Sequence, residues 1–282
     1  MGTLYLIATP IGNLEDLTPR AARLLGSVAV IACEDTRRTA QLVAHCGWRT
    51  PLVSYHQHNE RERTGALLAR LTAGQDVALV SDAGMPLLSD PGLHLVREAV
   101  KAGITVTPVP GASAPIAALA LSGFPAAPFY FAGFLPARTA ARQREIAAWR
   151  GRGETIVCFE APHRLRAALA DLEAGLGPRR GLAVARELTK MHEQAVRGEI
   201  AEVRRHFDNV EPRGEFTLVL APAPPEEAPA PGPAADMVAG LVAQGLDPKL
   251  AAKKAARQMG RPRAEVYREW RHGPGAESQG SR

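Results

Sequence analysis

Five times within the first 122 residues, a short β-rich run is followed by a helical pattern, and this rhythm limits the fold more than any other feature. The runs are Thr3–Ala8, Val28–Cys33, Leu52–Tyr55, Asp76–Val80 and Ile104–Val109. Thr18-Pro19 opens the first helix, which ends near Gly26, and Thr36 caps a second that Gly47 closes. Glu60–Ala73 is the third. Asp90-Pro91 reads as an N-cap and first-turn pair for the fourth, stopped by Gly103, and Ser113 caps the fifth inside PGASAPIAALALSG. Repeated β-then-α units predict a mostly parallel sheet covered by helices on both faces.

Past Pro125 the rhythm changes. Phe129–Gly133, Thr155–Glu160, Leu182–Arg186, Gln194–Gly198 and Glu215–Leu220 read as strands. An Arg- and Ala-rich helix separates the first two, and Pro162–Ala174 and Ile200–Phe207 are helical. This predicts a smaller, mixed-sheet domain. PAPPEEAPAPGP, residues 222–233, then places six prolines in twelve positions, a density that no packed element tolerates. Three short helical patterns follow, near 235–244, 248–258 and 263–271, with a spacing like that of a helix-turn-helix. The expected organisation is an α/β domain over 1–122, a mixed α/β domain over 123–221, an extended linker over 222–234, a basic helical tail over 235–272 and a disordered end over 273–282.

A chain of 282 residues, 46% apolar and 22% charged, fits a soluble globular protein of more than one small core. Its apolar runs are too short to span a bilayer. MGTLYLIATP lacks a basic n-region and a small-residue cleavage site, so no export signal is expected. Cys33, Cys46 and Cys158 are odd in number and lack C-x-x-C spacing. They fit buried thiols in a reducing cytoplasm better than a disulfide framework or a zinc site. The net charge of +5 is unevenly placed: residues 236–272 hold eight Lys/Arg against four Asp/Glu. Such a segment suits phosphate contact or a solvated helical face.

In open α/β sheets ligands settle beyond the carboxyl ends of the strands. Four loops occupy that edge: TPIGNLED (9–16), EDTRRT (34–39), SDAGMPLLSDPG (81–92) and PGASA (110–114). SDAGMPLLSDPG is far longer than a connection requires. Gly lets main chain approach a ligand closely, and helix-start N–H groups receive polar oxygens, although turns favour these residues in any case. The chain carries no G-x-G-x-x-G after a strand, no G-x-x-x-x-G-K-[ST], no H-E-x-x-H and no G-x-S-x-G. Dinucleotide, phosphoryl-transfer and hydrolase readings are therefore all disfavoured. His56-Gln57-His58 has no carboxylate or Cys cluster tied to it and reads as a turn before a helix rather than a metal site.

In this order, TPIGNLED, ACEDTRRT, SDAGMPLLSDPG, PGASA, FEAPHR and ARELTKMHE resemble the tetrapyrrole-methylase-like (class III) S-adenosylmethionine methyltransferases, and among them the small-subunit ribosomal RNA enzymes. The resemblance runs from residue 3 to 220, and the basic tail shares it. Met85 and Leu88 depart from the usual Thr and Ile and keep the turn frame. The resemblance implies a two-domain α/β fold with S-adenosylmethionine in the cleft between domains, and a cytoplasmic homodimer. It also implies 2′-O-methylation of a cytidine in the decoding region of 16S rRNA, presented as naked rRNA or as the 30S subunit. The alternatives are a class III enzyme acting on a tetrapyrrole or a protein, and a non-catalytic ribosome-assembly protein that binds RNA.

Carried onto this chain, the resemblance puts Pro10, the loop Asp82, Ala83, Gly84, Met85 and Pro86, then Ser113 and Ala114, and finally Phe159, Glu160 and Ala161 at the cofactor. Asp82 also orients its loop, as an Asx-turn would. A sulfonium is an activated donor, so the chain must chiefly align a ribose hydroxyl and relieve its proton. Glu34, Asp35, Glu187 and Lys190 are the catalytic candidates; Glu187 and Lys190 also suit a structural ion pair, and His163 and His192 are further possible bases. Lys190 suits alkoxide stabilisation as well. Asn13, Arg37, Arg38, Arg138, Arg142 and Arg164 are expected to hold RNA, together with Lys249, Lys253, Lys254 and Arg257 of the tail. Lys249, Lys253 and Arg257 are spaced by four and share one helical face. No metal is expected.

Overall fold

A computed structural model describes residues 1–224 and 233–271, and the end expected to be disordered (273–282) lies outside the described residues. The chain divides into two compact units, Met1–Pro222 and Ala223–Arg282. The first unit opens with strand β1 (Thr3–Ile7), helix α1 (Pro19–Leu25), β2 (Val30–Cys33), α2 (Thr36–His45) and β3 (Leu52–Ser54). It continues through α3 (Glu60–Thr72), β4 (Val77–Val80), α4 (Leu93–Lys101), β5 (Thr105–Val109) and α5 (Ala114–Ser122). All four pairings in this sheet are parallel, in the order β3-β2-β4-β1-β5.

Strand alternation explains why the sheet is covered on both sides. Leu4 and Leu6 of β1 join Val77 and Leu79 of β4 in one apolar cluster with Leu67, Leu71 and Leu95. Ile7, Ala78 and Val80 face the other way, onto Leu24 and Leu25 of α1 and Val43 of α2. Each fully buried Leu of this kind contributes about 1.5–3 kcal/mol.

The second half of the unit adds β6 (Phe129–Phe134), α6 (Thr139–Ala148), β7 (Thr155–Glu160), α7 (Leu165–Leu176), β8 (Gly181–Arg186), β9 (Gln194–Glu199), α8 (Ile200–Asn209) and β10 (Phe216–Leu220). Its sheet runs β6-β7-β10-β8-β9, parallel between β6 and β7 and antiparallel elsewhere. Ile146, Leu169 and Phe207 of α6, α7 and α8 pack on one face. Ala118 and Leu119 of α5 pack on the other, against Val157, Ala183 and Val219. α5 follows the last strand of the first sheet yet packs on the second, and so joins the two sheets.

The second unit is α9 (Pro233–Ala243), α10 (Pro248–Met259) and α11 (Arg263–Arg271). Ala251, Ala252, Ala255 and Ala256 of α10 pack with Val238, Val266 and Trp270, small side chains letting the helices approach closely. Asp247 caps α10, its Oδ1 accepting from Lys249 N at 2.9 Å and Leu250 N at 3.2 Å. Gly260 ends the helix in the left-handed region at φ 63°.

Four local expectations are corrected. Asp35, not Thr36, caps α2, because its carboxylate accepts from Arg37 N at 2.9 Å and Thr36 is already helical. The fourth helix starts after Gly92 (φ 129°), not at Asp90-Pro91, since the chain is still completing the long loop there. Ser113 stands at the N-cap of α5 yet makes no capping bond. Helix α9 begins at Pro233, inside the stretch expected to be extended, a position where proline fits the start of a helix.

Candidate active site

The loops after β1, β2, β4 and β5 meet where the first sheet's strands end. Two main-chain bonds stitch the first to the third: Thr9 N donates to Gly84 O at 2.9 Å and Gly84 N to Thr9 O at 3.0 Å. Gly84 adopts φ 82°, which a side chain would strain. Ser81 Oγ donates to Gly84 O at 3.1 Å, and Thr9 Oγ1 donates to Ser81 O at 3.2 Å. Asp82 ties in the second loop, accepting from Asp35 N at 3.0 Å and standing 3.5 Å from Arg38. Further along, Leu87 (φ 77°) and Ser89 (φ 72°) hold left-handed conformations that few side chains adopt. Such positions persist only where the surroundings over-determine them.

These loops enclose a cavity of about 400 Å³. Ile11, the stretch Asp82–Met85, Leu88–Asp90 and Ser113–Pro115 wall it from the first sheet. Phe134, Phe159–Pro162, Leu188 and Glu215–Thr217 close it from the second. Phe134 and Phe159 stack at a tilt with centroids 5.2 Å apart. Two polar atoms in this wall are buried and unpartnered among the described residues: Ser113 Oγ and Glu160 Oε2. The other Glu160 oxygen accepts from Ala161 N at 2.7 Å and from Arg164 at 2.6 Å. Buried polar atoms of this kind are a hydrogen bond short, which a ligand or a water would supply. Apolar walls with a few convergent polar groups are the usual make-up of a small-molecule site.

Four carboxylates stand at or beside the cavity in different states. Burial, reinforced by Asp82, raises Glu34, with His56 and Arg38 pulling the other way. Burial, then Glu34, pushes Asp90 up to about 6, eased by a hydrogen bond from Ser81. Asp35 is held down at about 2 by its hydrogen bonds from Arg37. At Glu187, burial disfavours the charge, yet the Lys190 ammonium and the Glu215 N–H together outweigh it and hold the group below its ordinary value. Lys190 Nζ lies 3.0 Å from Glu187 and 3.8 Å from Glu215, a wall residue. Glu187 (φ 50°) and Thr189 (φ 65°) are both left-handed and turn Leu188 into the cavity.

Of the residues expected at the cofactor, Asp82, Ala83, Gly84, Met85, Ser113, Ala114, Phe159, Glu160 and Ala161 line this cavity. Pro10 and Pro86 do not. Pairing of Thr9 with Gly84 turns Ile11 rather than Pro10 toward the cavity, and Pro86 is buried beneath the loop. Glu34 lines the wall, while Asp35 faces a neighbouring recess. Arg142 is corrected: its guanidinium is buried against Asp171 at 2.6 Å and cannot meet RNA. Arg164 is half-buried and committed to Glu160. Asn13 turns its side chain back to cap a 3-10 turn at Glu15 N. Arg37, Arg38 and Arg138 are exposed, as are Lys249, Lys253, Lys254 and Arg257 on the face of α10 opposite its alanines.

Ile11, Pro115, Phe134, Pro162, Leu188 and Glu215–Thr217 were not anticipated in the wall, and Ser89 and Asp90 were expected there only as part of the long loop. Asp90 was masked by its resemblance to a helix cap. The contributions of the second sheet come from strand ends far apart in sequence, where no local motif marks them.

The sequence matches the family of Tetrapyrrole (Corrin/Porphyrin) Methylases over residues 3–204. It is 48% identical to "Ribosomal RNA small subunit methyltransferase I" of Synechocystis sp. over 269 residues, covering 95% of this chain and 96% of that protein. The protein of the same name from Pseudomonas aeruginosa is 45% identical over 271 residues, with 95% and 96% covered. Among solved structures, uroporphyrin-III C-methyl transferase from Thermus thermophilus complexed with S-adenyl homocysteine superposes with a TM-score of 0.55 at 22% identity, over 78% of this chain and 97% of that one, a likeness of fold. The chain therefore belongs to the tetrapyrrole methylase family, in the branch whose members carry the name ribosomal RNA small subunit methyltransferase I.

Proposed function

We propose that the chain transfers a methyl group from S-adenosylmethionine to the 2′-hydroxyl of a cytidine in the decoding region of 16S rRNA, cytidine 1402 in the usual numbering. The observation that carries the reading is a strand-end cavity with orphaned polar atoms, in a chain nearly half identical to relatives of that name along almost its whole length. When bound, the cofactor supplies a methyl group already activated on a sulfonium. The residues present fit such a group: Gly84 lets main chain approach it, Ser113 Oγ and Glu160 Oε2 offer polar partners, and Ile11, Phe159 and Leu188 give apolar walls.

Of the catalytic candidates named from the sequence, Glu34 is the one suited to take the hydroxyl proton. It borders the cavity, and its raised pKa brings it nearer the working pH than Asp35, which Arg37 keeps ionised. Lys190 places a positive charge between Glu187 and the wall residue Glu215, where it opposes negative charge developing on an acceptor oxygen. Arg37, Arg38 and Arg138, with the exposed Lys/Arg face of α10, would hold phosphates. The homodimer implied by the resemblance belongs to the same reading and is tested by the mass in solution.

Incubating the protein with methyl-labelled S-adenosylmethionine and either 30S subunits or naked 16S rRNA, then mapping the label, tests the whole reading. Label on a single cytidine ribose is the expected result. Label confined to a protein or a tetrapyrrole, or none at all, would overturn it.

A further inference from the structure

His56-Gln57-His58 takes no part in the cavity above, yet its backbone is firmly fixed. Tyr55 is fully buried, its hydroxyl 3.0 Å from Thr64 Oγ1. Asn59 Oδ1 accepts from His56 N at 2.8 Å, and Asn59 Nδ2 donates to Ser54 O at 3.1 Å. On this anchored turn the two imidazoles stand with centroids 5.9 Å apart and planes at 64°. They border a second recess, of about 460 Å³, with Ser54, Asp35, Thr36 and Arg37. Its remaining wall includes Glu34 and Asp82, which also wall the first cavity. Among the described residues no group of three or more His, Cys, Asp or Glu is placed to hold a metal ion.

We propose that this second recess receives the acceptor nucleoside, its base against the imidazole faces of His56 and His58 and its ribose toward Glu34. The proposal rests on reading the chain as an RNA methyltransferase. Direct transfer needs reacting atoms about 3–3.5 Å apart, so the acceptor must occupy space that shares a wall with the donor. Of these two concavities, the polar one presents imidazole faces on which an unstacked RNA base can rest, and Arg37, paired with Asp35 at 2.9 Å, keeps its side chain 89% exposed at the rim, where it suits a flanking phosphate. A target nucleotide drawn out of its stack is met in this way by other base-handling enzymes.

The test compares label transfer to 30S subunits by the wild type, by the His56→Ala/His58→Ala double variant and by His56→Phe/His58→Phe, with donor affinity measured by calorimetry. Alanine should lower kcat/KM for the subunits by about ten- to a hundredfold, the range that loss of base stacking produces, and leave donor affinity unchanged. Phenylalanine, which keeps a ring face, should restore most of the activity. Unchanged kcat/KM in the alanine variant, a loss that phenylalanine fails to recover, or a parallel loss of donor affinity would each overturn the proposal. A wild type that labels no rRNA would instead overturn the methyltransferase reading, and this inference with it.

Discussion

At the scale of single residues, charge placement around the cavity sets what can be measured. Asp90 sits half-buried beside Glu34, pushed up to about 6 from an ordinary 3.8. Between those two values the folded chain holds a proton that the unfolded chain has released. Folding takes up that proton, so stability falls as pH rises through the window. Asp90→Asn should therefore flatten the slope between about pH 4 and 6 and raise the urea midpoint at pH 7 relative to wild type. Lys190 and Glu34 make a contrasting pair. Lys190→Ala and Glu34→Gln should each keep donor binding by calorimetry and lower kcat for label transfer by about a hundredfold or more. Near-normal turnover in either variant would remove that residue from the chemistry.

At the scale of elements, the first loop and the Glu187–Lys190 turn are locked against each other. A Cβ on Gly12 would come within 2.9 Å of Leu188 O and meet the Lys190 side chain at 2.4 Å. Gly12→Ala should displace that turn, and with it Leu188, lowering both donor affinity and kcat while the thermal midpoint changes little. In the tail, Asp247→Ala removes both bonds that cap α10 and should cost about 1 kcal/mol, read as earlier melting of the second unit.

These elements also show what could be read in advance. Leu4, Leu6, Val77 and Leu79 alternate and carry short runs, so the parallel sheet and its loops were legible from the residues alone. The caps were harder, because a cap-type residue beside a helical pattern does not reveal at which residue the chain becomes helical: Asp35 caps α2 where Thr36 was expected, and Asp90 is still in the long loop. Asp35 N reaches Asp82, 47 residues away, and the Ser113 hydroxyl is buried without a partner instead of capping α5. Phe134, Leu188 and Glu215 belong to a mixed sheet whose order, β6-β7-β10-β8-β9, no local spacing encodes. The second half of the wall was for that reason only partly visible.

For the whole molecule, every wall residue lies between Ile11 and Thr217, in the first unit, and the basic helices belong to the second. Removing residues 223–282 should leave donor affinity unchanged and weaken binding to 30S subunits. Loss of the four exposed cations of α10 would reduce the slope of log K against log salt by about 3. An unaltered slope would assign the helices to stability or assembly instead.

The pair of main-chain bonds between Thr9 and Gly84 also dictates how a small molecule gets in. Because those bonds involve no side chain, replacing Thr9 or its neighbours does not unpick the seam, and that side of the chamber stays shut. Leu88 and Phe134 are the exposed large apolar residues of the wall, with Phe134 resting on Phe159. Entry past these two side chains predicts that enlarging either one slows donor release without altering the seam behind it.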